Sequence, residues 1–380
     1  MSRTMLRRDF LRLSGQLLLA GIIPTNSYAN NNPSLSNPSQ AIIYGCAKKQ
    51  DQYYLVGCDL QGNTLNHFAL PSRGHGIAID NTHQQAVVFA RRPDNYFIQF
   101  NPLTGSVINE YQIESGEHFL GHGCFDQQGL LYVCEADTDS SQTSIAVYQL
   151  NDKIKKIAEF SGFGLGGHEI VMHPDNQHLI LALGGIKTRG REKINLDTMQ
   201  PALLYIDKMT GEVKQTLTLD DHLLSIRHLA VNQDGLVVFA CQYQSIDNQS
   251  IEAQYPENQG LATQSLDELP ALIYHHQLGK RQVSPLIANE ETWLRFDDYI
   301  GSIAISEQKI VATSPRGNCY AVWDISDKKL QKIKPLTDVC GASFYQQKVA
   351  LTTGNGEQGI VNNMQLTQWH WDNHMAIWLG

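Results

Sequence analysis

The sequence predicts an all-β fold, a seven-bladed β-propeller of four-stranded antiparallel blades closed by pairing of the N- and C-terminal strands. Three observations carry that prediction. The segment Gly74-His75-Gly76-Ile77-Ala78-Ile79-Asp80 returns as Gly121-His122-Gly123-Cys124-Phe125-Asp126, Gly167-His168-Glu169-Ile170-Val171-Met172 and Arg227-His228-Leu229-Ala230-Val231-Asn232. The histidine-to-histidine steps are 47, 46 and 60 residues, the period of a four-stranded blade with one lengthened loop. Turn signals recur between short apolar runs, which leaves little room for helices.

Residues 1–29 read as an export signal. Arg7-Arg8-Asp9-Phe10-Leu11-Arg12 resembles the twin-arginine motif, an apolar stretch covers 13–23, and Ser27-Tyr28-Ala29 offers small residues where a signal peptidase reads. The stretch is shorter than the roughly 20 apolar residues that span a bilayer. The expected location is therefore the periplasm, reached by folded export, with no membrane span after cleavage. The signal holds four arginines and one aspartate, so the formal charge of −9 becomes −12 without it. An acidic surface argues against nucleic acid as a partner. Residues 30–40, rich in Asn, Ser and Pro, are expected to be a disordered spacer, and 41–380 a single propeller domain.

Within that domain, 41–46, 53–59 and 63–70 read as three strands ahead of the first Gly-His strand. Residues 86–90, 96–101 and 106–112 complete the following blade. The turns Asn101-Pro102-Leu103-Thr104-Gly105 and Asp207-Lys208-Met209-Thr210-Gly211 occupy equivalent places. In each, an Asn or Asp can accept backbone hydrogen bonds and a glycine can take positive φ. Residues 184–200 are an insertion expected to lie over one face, and 244–270 a solvated loop, with a lid or partner surface as the alternative. The repeat continues without histidine in Ile300-Gly301-Ser302-Ile303 and Cys340-Gly341-Ala342-Ser343, and regains it in Asn373-His374-Met375-Ala376. That makes seven. If the last copy is an inner strand, the strands of 41–70 complete its blade and leave no wide edge. No amphipathic helix is expected after the signal. Seven cysteines, odd in number and without a C-x-x-C pair, signal neither a disulfide framework nor a thiolate zinc site.

Inner strands line a propeller's central channel, so residues at their starts form a ring. His75, His122, His168, His228 and His374 are the candidate metal ligands, since imidazole binds transition metals. Arg92, Glu135, Arg227, Arg316 and Asp338 are the candidate ligand-binding residues of the same funnel. The residues leave a second reading open, in which each Gly-His pair hydrogen-bonds within its own blade, as in WD-repeat propellers. Arg and carboxylate partners could likewise be neutralising pairs. Signatures of serine hydrolases, zincins, phosphate loops, dinucleotide folds and c-type haem are absent.

Arg73-Gly74-His75-Gly76, Val88-Phe89-Ala90-Arg91-Arg92-Pro93, Gly121-His122-Gly123 and Asn195-Leu196-Asp197-Thr198-Met199 occur in collinear order with Ser225-Ile226-Arg227-His228-Leu229-Ala230, Cys241-Gln242-Tyr243-Gln244, Thr313-Ser314-Pro315-Arg316-Gly317, Asp338-Val339-Cys340-Gly341 and Trp371-Asp372-Asn373-His374. This set resembles the exported bacterial family catalogued as domain of unknown function 1513. The chain departs at Gly166-Gly167-His168, where members usually carry proline between glycine and histidine. The resemblance implies a periplasmic seven-bladed propeller of the surface-layer-repeat or quinoprotein-amine-dehydrogenase-like type. It also implies a setting beside imelysin-like and di-haem periplasmic proteins, hence partners of that kind and a part in iron acquisition. The leading expectation is a binding or accessory propeller for metal uptake, holding a transition metal such as iron or copper. The alternatives are a hydrolytic or redox enzyme using a funnel histidine as general base, and a structural interaction propeller.

Overall fold

The computed structural model describes residues 41–92, 94–189, 192–244 and 269–380. The export signal and spacer read in 1–40, and most of the 244–270 insertion, lie outside the described residues. The chain forms seven four-stranded antiparallel sheets. Their inner strands are Gly74–Asp80, Glu117–Phe125, Gly167–Met172, Leu224–Val231, Ser302–Ile305, Val339–Tyr345 and His370–Trp378, the seven repeats read in the sequence. We number the blades 1 to 7 in that order. Each inner strand packs against the next, and His370–Trp378 packs against Gly74–Asp80, which closes the circle.

Closure is made in blade 7. The C-terminal strand His370–Trp378 pairs with Ile42–Lys49, and Gln52–Cys58 and Thr64–Leu70 follow outward. A blade is covered on both faces by its neighbours, so its middle strands need apolar residues on both sides. Val87, Val88 and Phe89 are consecutive and all fully buried. The outer strand Val107–Gln112 has no such cover and is largely exposed. Aromatic side chains fill the wedges between blades: Phe97 and Phe119 meet at 5.3 Å between ring centroids, and Phe97 and Tyr148 at the same distance. Among the described residues, no helix is long and apolar enough to cross a membrane.

One segment differs from the reading of the sequence. A six-residue helix, Glu290–Arg295, precedes blade 5, capped by the Asn289 side chain, which accepts from the Thr292 N–H. Six residues are too few to show helical periodicity, so only the cap and the acidic first turn announce it. The helix seats Trp293 and Phe296 against Trp323, with centroids 6.0 and 6.2 Å away. In the described residues of the 184–200 insertion, Thr188–Arg189 pairs with Glu192–Lys193, and Ile186 and Met199 pack on Leu223, just ahead of the inner strand of blade 4.

Trp369 joins blade 6 to the closing blade. It is almost fully buried, its indole N–H donates to Thr64 Oγ1 at 2.8 Å, and its ring lies 5.3 Å from that of Tyr54. Trp369→Ala is expected to destabilise the fold by about 3–5 kcal/mol, the usual cost of removing a buried aromatic, read as a lower urea midpoint.

Candidate metal centre

The five histidines reach the axis through a repeated local device. In blades 1, 2 and 3 the inner strand loses register with its neighbour between Gly74 and Ile77, Phe119 and Gly123, and Gly167 and Ile170. Blade 4 does so between Ile226 and His228, and blade 7 between Trp371 and Met375. Each break is at or beside the histidine. A bulge leaves a residue unpaired and re-aims its side chain. Blade 5 pairs regularly from Ser302 to Ile305 and carries no histidine, whereas blade 6 breaks between Val339 and Ala342 with none, so the break is shared by the blades and the histidine is an addition to it.

Glycines make room for the rings. A Cβ on Gly121, which has φ +89°, would lie 2.6 Å from His75 Cδ2, and one on Gly76 would lie 2.9 Å from His122 Nδ1 and 2.4 Å from the Gly121 carbonyl oxygen. Gly76→Ala is therefore expected to displace the His122 ring and to cost about 1–3 kcal/mol, the usual range for overpacking. Shifted imidazole resonances together with a lowered melting temperature would check both parts.

The rings form a closed circuit. Centroids are 4.8 Å apart from His75 to His122, 4.9 Å from His122 to His168, 4.9 Å from His168 to His228, 4.9 Å from His228 to His374 and 4.5 Å from His374 back to His75. His122 also lies 4.7 Å from His374. Two triads, His75 with His122 and His374, and His122 with His168 and His228, have ring nitrogens all within 4.8 Å of one another. His122 belongs to both.

All the rings are neutral near pH 7. Burial pushes His122 and His228 down to about 3, and His75, His168 and His374 also well below the usual imidazole range. Neighbouring rings or guanidiniums add to the effect at every one of them, and at His122 Glu169 opposes it. A neutral imidazole has a free lone pair, the form that binds metal. His75 Nδ1, His122 Nε2, His168 Nδ1 and His374 Nε2 are buried with no hydrogen-bond partner among the described residues. The hydrogen bond that His228 Nδ1 makes, at 3.3 Å, goes to Glu169 in blade 3 and not to its own blade. Glu169 also accepts from the Leu229 N–H at 3.0 Å and has its other oxygen 4.0 Å from His122 Nδ1. Its carboxylate thus orients His228, as carboxylates behind metal-bound histidines do, and stands near His122 without a hydrogen bond. On one side of the ring layer a cavity of about 280 Å³ is walled by Ile77, Ile79, Cys124, Phe125 and Val171 and floored by His122, His374 and Glu169.

The family described as protein of unknown function (DUF1513) matches residues 68–378. The chain belongs to the DUF1513 family. No curated protein matches it. Among solved structures, this DUF1513 propeller is similar to hydrazine synthase from Kuenenia stuttgartiensis, at a TM-score of 0.59 and 12% identity over 83% of this chain and 89% of that one. It is also similar to a functionally unknown protein from Desulfotomaculum acetoxidans DSM 771, at a TM-score of 0.56 and 11% identity over 88% and 99% of the two chains. At these identities the likeness is one of fold.

The other candidate residues are placed less uniformly. Arg227 precedes His228 in the inner strand, half-buried, with its Nε buried and unpartnered among the described residues. Arg92 is exposed but near enough to Arg227 for each charge to bear on the local field. Arg316 stacks over Tyr299, 4.5 Å from the ring centroid. Asp338, half-buried beside Cys340, has its carboxyl pushed up by burial. Glu135 is not brought to the axis: fully buried inside blade 2, it accepts from Tyr148 Oη and from Lys156 Nζ at 2.8 Å. Sequence reasoning passed over Glu169 and Tyr299. The first had a signal, an acidic residue where blades 1 and 2 carry Gly76 and Gly123.

Proposed function

We propose that this propeller binds a first-row transition metal ion in its central channel through the five axial histidines. The observation that carries the reading is the set of four buried, neutral imidazole nitrogens with no partner among the described residues, gathered from different blades. A buried polar atom left unpaired costs about 1–3 kcal/mol, and a metal ion would satisfy several at once. Copper, zinc, nickel and iron all suit imidazole, with copper favoured by intrinsic affinity.

The His228–Glu169 contact beside the cavity favours a general-base enzyme as the second reading. Burial counts against it, since a base poised for catalysis works best near the operating pH and His228 is held near 3. Export through the twin-arginine route, read from Arg7 and Arg8, would place the bound metal in the periplasm, and a role in metal acquisition beside imelysin-like or di-haem proteins is consistent with that placement.

The test is to purify the protein untagged and free of metal, add Cu(II), Zn(II), Ni(II) or Fe(II), and count bound metal by plasma mass spectrometry. Near-stoichiometric retention after gel filtration is expected for at least one ion. Failure to retain any of the four contradicts the reading.

A further inference from the structure

The histidine layer separates two unlike environments. Its far side is the cavity floored by His122, His374 and Glu169, and its near side is crowded with guanidiniums. Arg227 comes from the inner strand of blade 4, and Arg91 and Arg92 follow the second strand of blade 1. Arg73 precedes the inner strand of blade 1, and Arg316 follows the second strand of blade 5. Asp372, at this level, is already committed. Asp372 accepts from Arg73 Nε and from the Asn373 N–H at 2.8 Å, and Arg91 Nη1 stands 3.7 Å from its Oδ1.

Arg227 is the informative member. Gly184 leaves space for it, since a Cβ there would come within 3.3 Å of Arg227 Cζ, and Ser225 Oγ donates to the Gly184 carbonyl at 2.9 Å and fixes that wall. A guanidinium given room in a half-buried site, with its Nε unpaired and another arginine nearby, has no counter-charge among the described residues. Tyr299, whose Oη accepts from Asn373 Nδ2 at 3.3 Å, bears on the same charge and offers a further donor. Arg91 acts on His75 and His374, and Arg227 on His168 and His228. Glu169 is the carboxylate that acts on the ring layer, at His122 and His228. A divalent cation entering among these rings meets the charge of Arg227, which has no carboxylate partner among the described residues, as well as that of Glu169.

From the proposed metal site we infer that the ion is held together with an oxyanion of the carboxylate class, bound between it and Arg227 and Arg91. The anion satisfies the arginine fork bidentately and completes the charge balance of the metal. It can arrive free, as bicarbonate does, or as the ligand of an incoming metal chelate, as citrate does.

The experiment titrates metal-free full-length protein with Cu(II) and Zn(II) in an anion-poor buffer, then with added bicarbonate, acetate or citrate, correcting for metal bound by each anion in solution. At least tenfold tighter metal binding is expected with bicarbonate or citrate, and loss of that gain in Arg227→Gln, which in the anion-poor buffer binds the metal at least as tightly as the wild type because one repelling guanidinium is gone. A gain with bicarbonate assigns a free anion, and a gain confined to citrate assigns a chelate. Affinity that is the same in every buffer overturns the anion inference and leaves the metal site standing. No metal binding in any buffer overturns both. The wild-type titration decides even if Arg227→Gln does not fold.

Discussion

His122→Ala is expected to weaken metal binding by more than about 100-fold while the propeller stays folded. Disturbing a group behind a metal ligand costs about 10–100-fold, and His122 is itself the ring shared by both triads. The metal-free variant should melt within a few degrees of wild type, because the lost packing is offset by removing an unpaired buried Nε2. Added metal should raise the melting temperature of the wild type and not of the variant, since a ligand stabilises only the state that binds it. His173→Ala is the control. His173, Asp175 and His178 also group closely, at 3.0 and 2.7 Å, but in a surface turn where Asp175 binds both rings. Its loss should leave the metal-dependent shift intact. A shift lost in His173→Ala and kept in His122→Ala would move the site to that turn.

Lys156→Met should destabilise the fold by about 3–5 kcal/mol near pH 8. Lys156 Nζ lies 2.8 Å from Glu135, 3.1 Å from Glu117 and 2.6 Å from Glu159, and Glu135 is fully buried. Removing the cation strands a buried carboxylate whose remaining partner among the described residues is Tyr148. The loss should depend on pH. Burial already pushes Glu135 up to about 7, with Lys156 pulling it back, against an ordinary value of about 4.3 in the unfolded chain. Without Lys156 it rises further. A carboxyl raised in the folded state binds protons that the unfolded chain does not, so its contribution is greatest below the unfolded value and is lost as pH rises through the folded one. The deficit should therefore be smaller at pH 5.5 than at pH 8, and Glu135→Gln added to Lys156→Met should recover much of it. Urea midpoints at the two pH values measure this. An equal deficit at both would mean that Glu135 is not what Lys156 compensates.

The blade framework was legible because its causes are local and repeat. The Gly-His strands, the Asn/Asp-to-Gly turns and the return of the motif at His374 state the period, and the period implies closure through residues 42–70. The ring of imidazoles followed from equal position in equal blades. What was not legible depends on the bulges, which change the direction of neighbouring side chains without a spacing signature. Glu169 follows His168 in the chain but turns to His122 and His228 of the adjoining blades. Glu135 precedes the end of a second strand, where the funnel could have claimed it, yet strand alternation sends it into the blade toward Tyr148. The Glu290–Arg295 helix was hidden by its length.

X-ray absorption at the metal edge of the loaded protein tests the central claim most directly. The account predicts three or more imidazole nitrogens at about 2.0–2.1 Å, with the outer-shell scattering of histidine rings reduced in His122→Ala. A first shell with at most one imidazole, or a spectrum unchanged by His122→Ala, would contradict it.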